Sequence, residues 1–84
     1  MMNLEIRRFI AEFFLIGQEK DFSDSDSLLE KGILDSTGVL ELVAFLEKSY
    51  AIKIDNDEIL PENLDSVEAI VKFLQRKSLR IDTN

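Results

Sequence analysis

Two Asp-Ser steps that precede amphipathic helical patterns, Asp35-Ser36 and Asp65-Ser66, are the features of this sequence most capable of chemistry. Aspartate and serine are preferred residues at helix N-caps, so either pair could serve only to start a helix. A serine held at an exposed helix start can also be modified by an enzyme that transfers a group to its hydroxyl. A helix from Ser36 to about Tyr50 is predicted because apolar residues recur there at helical spacing, at Val39, Leu40, Val43, Phe45, Leu46 and Tyr50.

The composition limits what Ser36 could do unaided. The chain contains no histidine and no cysteine, so the usual base for a serine nucleophile is missing. Disulfides and zinc sites of the Cys/His type are excluded for the same reason. An enzyme that relies on carboxylates or a lysine is the remaining catalytic alternative. Any thiol chemistry requires an added group.

The residues around Ser36 favour a modification site over a cap alone. Gly32 and the apolar pair Ile33-Leu34 lead into Asp35-Ser36, and an apolar helix that bears Glu41 and Glu47 follows. This pattern resembles the attachment site of acyl, peptidyl and aminoacyl carrier proteins. Asp65-Ser66 lacks the glycine and the long anchored loop, so Ser36 is the preferred candidate.

The resemblance implies a function and a cofactor. In this family 4′-phosphopantetheine is esterified to the serine, here Ser36, and Asp35 would help to hold the metal ion of the modifying phosphopantetheinyl transferase. The chain would carry an acyl or aminoacyl group as a thioester and catalyse nothing itself. Its partners would be the transferase, a loading ligase, and acyl-transferring enzymes with basic docking patches.

Further residue roles follow from the same resemblance. Thr37, Glu41 and Glu47 would face partner enzymes, although the two glutamates could equally be a solvated helix face. If the cargo folds back onto the protein, its lining would include Val43, Leu46 and Leu64, which could also be plain core.

The sequence departs from housekeeping fatty-acid carriers directly after the serine. Those carriers have a large apolar residue and then an acid, where this chain has Thr37 and Gly38. The departure favours a specialised stand-alone carrier for an amino acid or a pathway-specific acyl group. Gly38 costs the helix about 1 kcal/mol relative to alanine, so it is either tolerated near the helix end or required by a close approach, as in docking.

Length and charge set further expectations. The 84 residues predict a single domain, and 17 acidic against 10 basic residues give a net charge of −7. This charge disfavours nucleic acid and anionic membranes as partners. The longest apolar run, Leu42 to Leu46, is too short to span a bilayer, and the first residues do not resemble a signal peptide. We expect a cytoplasmic monomer.

The rest of the chain predicts an all-α four-helix bundle of the acyl-carrier-protein type, with three longer helices, one short helix and a long first loop. The first helix is predicted from Asn3 to Gly17, with three phenylalanines in the core. Residues 18–34 form the loop, with Leu28, Leu29, Ile33 and Leu34 lying across the helices. The second and last helices are expected to flank a slot.

Two shorter patterns complete the prediction. Ala51–Ile54 is taken as extended loop, and Asp55 and Glu58 have capping-box spacing for one short helix that turns Ile59 and Leu60 inward and is ended by Pro61. The last helix starts at Asp65-Ser66, with the same spacing from Asp65 to Glu68, and residues 81–84 are expected to fray.

The polar tract from Asp21 to Ser27 invites comparison with a calcium-binding loop. It has no glycine where an EF-hand loop turns sharply, and serines stand where acids should alternate. We predict a solvated loop and no metal site. The main alternative to the carrier function is a small acidic helical interaction module without a prosthetic group.

Overall fold

The structure, a computed structural model, describes residues 2–15 and 21–82, with side chains described as far as residue 77 in the last helix. Its elements are α1 (Met2–Phe14), α2 (Ser36–Tyr50), a 3₁₀ turn (Asn56–Glu58), α3 (Pro61–Leu64) and α4 (Val67–Asp82). Within these residues every regular element is helical. The predicted all-α fold with three longer helices and one short helix is therefore confirmed, and the predicted bounds of α2 agree with those observed.

The predicted ends of the first and last helices can be compared with the structure only for the last helix. Gly17, predicted to stop the first helix, lies outside the described residues. α4 continues to Asp82 and so includes two residues assigned to a frayed tail, whereas residues 83–84 lie outside the described range. None of the helices in the described ranges is both long and apolar enough to cross a membrane.

The core is built from residues that recur three or four positions apart on the long helices. Ile6 and Ile10 of α1, and Leu42 and Leu46 of α2, have no exposed surface. Complete burial of such a side chain contributes about 1.5–3 kcal/mol relative to exposure. Val67 and Ile70 of α4, together with Leu28 of the loop and Leu64 of α3, complete the core and are also buried.

The long loop before α2 is fastened to the core by its apolar residues. Leu28, Ile33 and Leu34 are buried as predicted, whereas Leu29 is exposed. The sequence did not single out Phe22, which is buried and has the Arg7 guanidinium 4.4 Å from its ring centre. Residues 21–34 of the loop are therefore anchored on the fold.

The carboxylates of the polar tract take part in this anchoring. Arg7 forms an ion pair with Asp24 at 2.8 Å. Asp26 accepts a hydrogen bond from the Ser23 N–H at 2.8 Å, which, aided by the nearby Lys31, lowers the pKa of the Asp26 carboxyl. The tract is thus solvated in part, with its acids engaged by neighbouring residues.

Asp65 joins the loop to the α3–α4 junction. Its carboxylate accepts hydrogen bonds from the Ser27 hydroxyl and, at 2.8 Å, from the Leu29 N–H. The predicted capping pair from Asp65 to Glu68 is wrong, because the Ser66 hydroxyl caps α4 instead by accepting the Ala69 N–H at 3.0 Å.

The segment after α2 is loop, as predicted, except that Ala51 is not extended but left-handed, with a φ of 54°. Ile54 is buried, and its N–H donates to the Glu47 carboxylate at 2.8 Å. The Asp55 N–H donates to the Glu58 carboxylate at 2.9 Å, in agreement with the predicted short turn.

Two details of this turn were predicted wrongly. Pro61 begins α3, because the first helical position needs no N–H donor and suits the fixed φ of proline. Leu60, predicted to turn inward, is exposed because it lies in extended conformation just before that helix. Ile59 is only partly buried.

The prediction that the three phenylalanines of α1 lie in the core is wrong for Phe13 and holds in part for Phe9 and Phe14, which pack against the core. Phe9 and Phe14 are partly buried, and Phe13 is 51% exposed. The buried stripe of α1 is formed by its isoleucines, so the phenylalanines lie beside that stripe. There the Phe9 ring stacks on Phe45 of α2, with ring centroids 3.9 Å apart.

Gly38 is buried where the end of α1 lies beside the start of α2. A Cβ at this position would lie 2.9 Å from Cε1 of Phe14 and 3.2 Å from a carboxylate oxygen of Asp35. The glycine is therefore explained by a close approach within the chain, and not by docking or by tolerance at a helix end.

We predict that Gly38→Ala lowers the free energy of unfolding by about 1–2 kcal/mol, because overpacking outweighs the gain in helix propensity. In a Phe14→Ala background the same change should cost less, since the nearest atom is gone. Urea unfolding followed by circular dichroism measures both differences. An equal cost in both backgrounds would show that the ring is not the cause.

Candidate functional site

Asp35 is the residue that caps α2. It has extended backbone angles, and its carboxylate accepts the Gly38 N–H at 2.7 Å. Its carbonyl oxygen accepts the Val39 N–H at 2.9 Å. Ser36 is consequently the first residue inside the helix, as predicted, and its hydroxyl is not needed for capping.

The Ser36 side chain is exposed. Among the residues that the structure describes, no hydrogen bond to its hydroxyl is found. The second step differs, because Ser66 is half-buried and its hydroxyl is occupied as the cap of α4. The structure therefore separates two identical dipeptides, and only the serine of the first presents a free hydroxyl.

The backbone that leads to Ser36 is held in place. The N–H groups of Ile33 and Leu34 both donate to the carbonyl oxygen of Leu28, at 3.0 and 3.1 Å. Gly32 turns the chain with a φ of 70°, a left-handed conformation that favours glycine. Because Ile33 and Leu34 are also buried, the position of Ser36 is fixed by the fold.

An open apolar slot of about 350 Å³ adjoins Ser36. Its walls come from the loop, the first two turns of α2 and the segment from the 3₁₀ turn to α3: Leu29, Leu34, Val39, Leu40, Ile59, Leu60, Pro61, Leu64 and Asp65. The prediction that α2 and the last helix flank the slot is wrong, because the short α3 and the turn before it lie against α2 at this point.

Only one of the three predicted lining residues, Leu64, borders the slot. Val43 and Leu46 are buried in the core, which was the alternative the sequence left open. Sequence reasoning missed Val39 and Leu40, although they follow Ser36 by one helical turn and so share its side of α2. That spacing was a usable signal.

The predicted partner-facing residues have different environments. Thr37 and Glu41 are exposed. Glu47 is half-buried and accepts the Ile54 N–H, so its carboxylate holds the loop after α2. Binding of partners by these three residues stays a prediction.

Comparison with known proteins places this arrangement in a family. A probable acyl carrier protein, PigG, of Serratia sp. (strain ATCC 39006) is 32% identical over 76 residues, which make up 90% of this chain and 87% of PigG. The acyl carrier protein of Buchnera aphidicola subsp. Acyrthosiphon pisum (strain Tuc7) is 34% identical over 82 residues, or 95% of this chain and 99% of that protein. The chain belongs to the acyl carrier protein family. It therefore has a carrier role, which fits the prediction that it is not an enzyme.

A solved structure supports the same fold for this acyl carrier protein family member. One chain of a crystal structure described as that of an FAD-dependent dehydrogenase is 33% identical and superposes with a TM-score of 0.73. The match covers 82% of this chain and 97% of that one. No protein-family model matches the sequence.

Family membership implies a phosphopantetheine prosthetic group, and the residues at Ser36 fit it. The hydroxyl is accessible, and a phosphodiester there would lie near the N–H groups of the first helical turn, where an anion gains about 0.3–1 kcal/mol. The nearby Asp35 carboxylate reduces this gain by repulsion. The apolar slot offers a surface for a flexible arm or its cargo.

We predict that the two serines differ in their contribution to stability. Ser66→Ala should lower the free energy of unfolding by about 1 kcal/mol, because α4 loses its cap. Ser36→Ala should change it by less than about 0.5 kcal/mol, because the hydroxyl is exposed and Asp35 provides the cap.

Urea unfolding of the unmodified protein measures this pair under identical conditions. Asp35→Ala serves as the control for α2 and should resemble Ser66→Ala. A loss for Ser36→Ala as large as that for Ser66→Ala would mean that Ser36 has a structural role.

Proposed function

We propose that this protein carries an acyl or aminoacyl group as a thioester on 4′-phosphopantetheine attached to Ser36. The observation that supports it most is the free Ser36 hydroxyl beside the Asp35 cap, on a backbone fixed by the loop. When bound, the group supplies the thiol that the chain itself lacks. The chain then holds and presents the cargo without acting as a catalyst.

Each residue at the site has a defined part in this function. Ser36 supplies the oxygen for the phosphodiester bond. Asp35 orders the first turn of α2 and is the candidate to help hold the metal ion of the transferase during modification. Thr37 and Glu41 are exposed close to Ser36, where a docked enzyme would contact them.

The carrier raises the effective concentration of its cargo. An arm fixed at Ser36 confines the thioester to the surroundings of any enzyme that docks on the exposed start of α2. The exposed Leu40 offers such an enzyme an apolar contact next to the arm, and Glu41 offers a charge for a basic patch.

The modification is tested by incubating the protein with coenzyme A, magnesium and a broad-specificity phosphopantetheinyl transferase. We expect the intact mass to rise by one phosphopantetheinyl group in the native chain and in Ser66→Ala, and not in Ser36→Ala. Ser66→Ala is the matched control because it removes the serine of the other Asp-Ser step that precedes a long helix.

If the native chain is not modified, two explanations are possible, and Thr37→Leu distinguishes between them. This change restores the large apolar residue that housekeeping carriers have after the serine. Rescue by Thr37→Leu would show that a generic transferase cannot dock on this chain. No gain in either protein would contradict the carrier proposal and favour an interaction module.

We further propose that one partner is an FAD-dependent dehydrogenase. The matched chain in the dehydrogenase crystal structure is covered almost completely by this small domain, at 33% identity. A chain of that size is too small for a dinucleotide-binding fold built from two βαβαβ halves, so the flavin enzyme would be a separate protein beside it.

Such an enzyme would remove a proton and a hydride from adjacent atoms of the carried group and reduce its flavin. With a purified candidate dehydrogenase, we expect the oxidised flavin absorbance to bleach with the loaded carrier and not with its free acid or with Ser36→Ala. Bleaching at the same rate by the free acid would contradict a carrier-dependent reaction.

A further inference from the structure

A second apolar surface lies on the side of α2 opposite Ser36. Phe45 follows Ser36 by nine residues, which is about two and a half helical turns. Here α1 and α2 form a groove that encloses about 470 Å³. Its apolar floor consists of Leu4, Phe9 and Phe45. We call this surface the α1–α2 groove.

The floor is built around stacked rings and is partly open to solvent. Phe9 stacks on Phe45, and Phe13 stacks on Phe9 with ring centroids 5.1 Å apart. Leu4 at one end is 58% exposed, and Phe13 beyond the other end is 51% exposed. Exposed apolar side chains gathered into one patch mark binding surfaces more often than isolated ones do.

The rim of the groove carries ordered charges. Glu5, Arg8 and Glu12 follow one another along α1 at spacings of three and four residues, which places them on one side of the helix. The Tyr50 hydroxyl donates to Glu5 at 2.9 Å and so fixes that carboxylate. Burial, followed by the bond to Glu5, raises the pKa of Tyr50 to about 12, so the hydroxyl stays a donor at neutral pH.

We propose that the α1–α2 groove binds an amphipathic helix of a partner protein. Apolar residues of that helix would lie on the phenylalanines, with basic residues opposite Glu5 and Glu12 and an acid opposite Arg8. Helices use apolar anchors spaced by three, four and seven residues to bind such grooves. From Leu4 to Phe13 the surface is about 14 Å long, which matches about two and a half helical turns.

The charge of the chain favours a basic partner helix over a second copy of the chain as the occupant of the groove. Two copies would each bring a net charge of −7 and would set the Glu5 and Glu12 carboxylates of one against an acidic surface of the other. A helix with a net positive charge would instead be attracted to these carboxylates. The groove would hold a partner while leaving Ser36 and its slot accessible, and it does not depend on the prosthetic group.

The test uses the full chain and two synthetic helical peptides of about fourteen residues, each with one tryptophan among leucine anchors. One carries Lys, Glu and Lys at the spacing of the rim, and the other carries the reversed charges Glu, Lys and Glu. Because the protein has no tryptophan, peptide fluorescence reports binding directly.

We expect saturable binding of the basic peptide and binding of the reversed peptide weaker by about tenfold or more. Phe13→Ser should weaken binding of the basic peptide about tenfold. Leu40→Ser, a matched change on the slot side of α2, and Ser36→Ala should leave it unchanged. Because Ser36→Ala abolishes only the prosthetic group, failure of the carrier proposal and failure of this one give different results.

Three results would overturn the proposal. One is equal binding of both peptides or of neither. A second is a loss for Leu40→Ser that equals the loss for Phe13→Ser. A third is a native dimer in sedimentation that Phe13→Ser converts to a monomer, which would show that a second copy covers the groove.

Discussion

The hydrogen bond from the Gly38 N–H to the Asp35 carboxylate determines what Ser36 is available to do. A helix start needs a side-chain acceptor for its first N–H groups, and serine would serve as well as aspartate. Because the Asp35 carboxylate is this acceptor, the Ser36 hydroxyl stays free and exposed. The absence of a Cβ at Gly38 lets Phe14 of α1 pack against the cap, so the core itself holds the geometry that exposes the serine.

The two Asp-Ser steps show how tertiary contacts assign different work to one dipeptide. At residues 65 and 66 the aspartate is drawn to the Ser27 hydroxyl and the Leu29 N–H, and the serine becomes the cap. That aspartate fastens the loop whose other end delivers Ser36. The Asp65-Ser66 step therefore has a structural role, and it helps to hold in place the loop that leads to Ser36.

Local patterns were sufficient to predict part of this structure. Apolar spacing and cap chemistry predicted the bounds of α2 and Ser36 as its first residue, and the motif around it indicated the family. The function of Pro61 could not be predicted, because proline suits both the residue after a helix and the first residue within one. The slot lining was missed for a related reason: whether Val39 or Val43 borders it depends on where α3 packs. The exposure of Phe13 was missed because three rings and two isoleucines of α1 compete for one buried stripe.

Helix α2 has two surfaces, one that presents Ser36 and the slot, and one that meets α1 at the phenylalanines. The central claim is that Ser36 carries the phosphopantetheine. The most direct measurement is intact-mass and fragment mass spectrometry of the protein isolated from its natural host. We predict one phosphopantetheinyl group, on the fragment that contains Ser36. A chain that is unmodified throughout, or modified at Ser66 or any other residue, would contradict the claim.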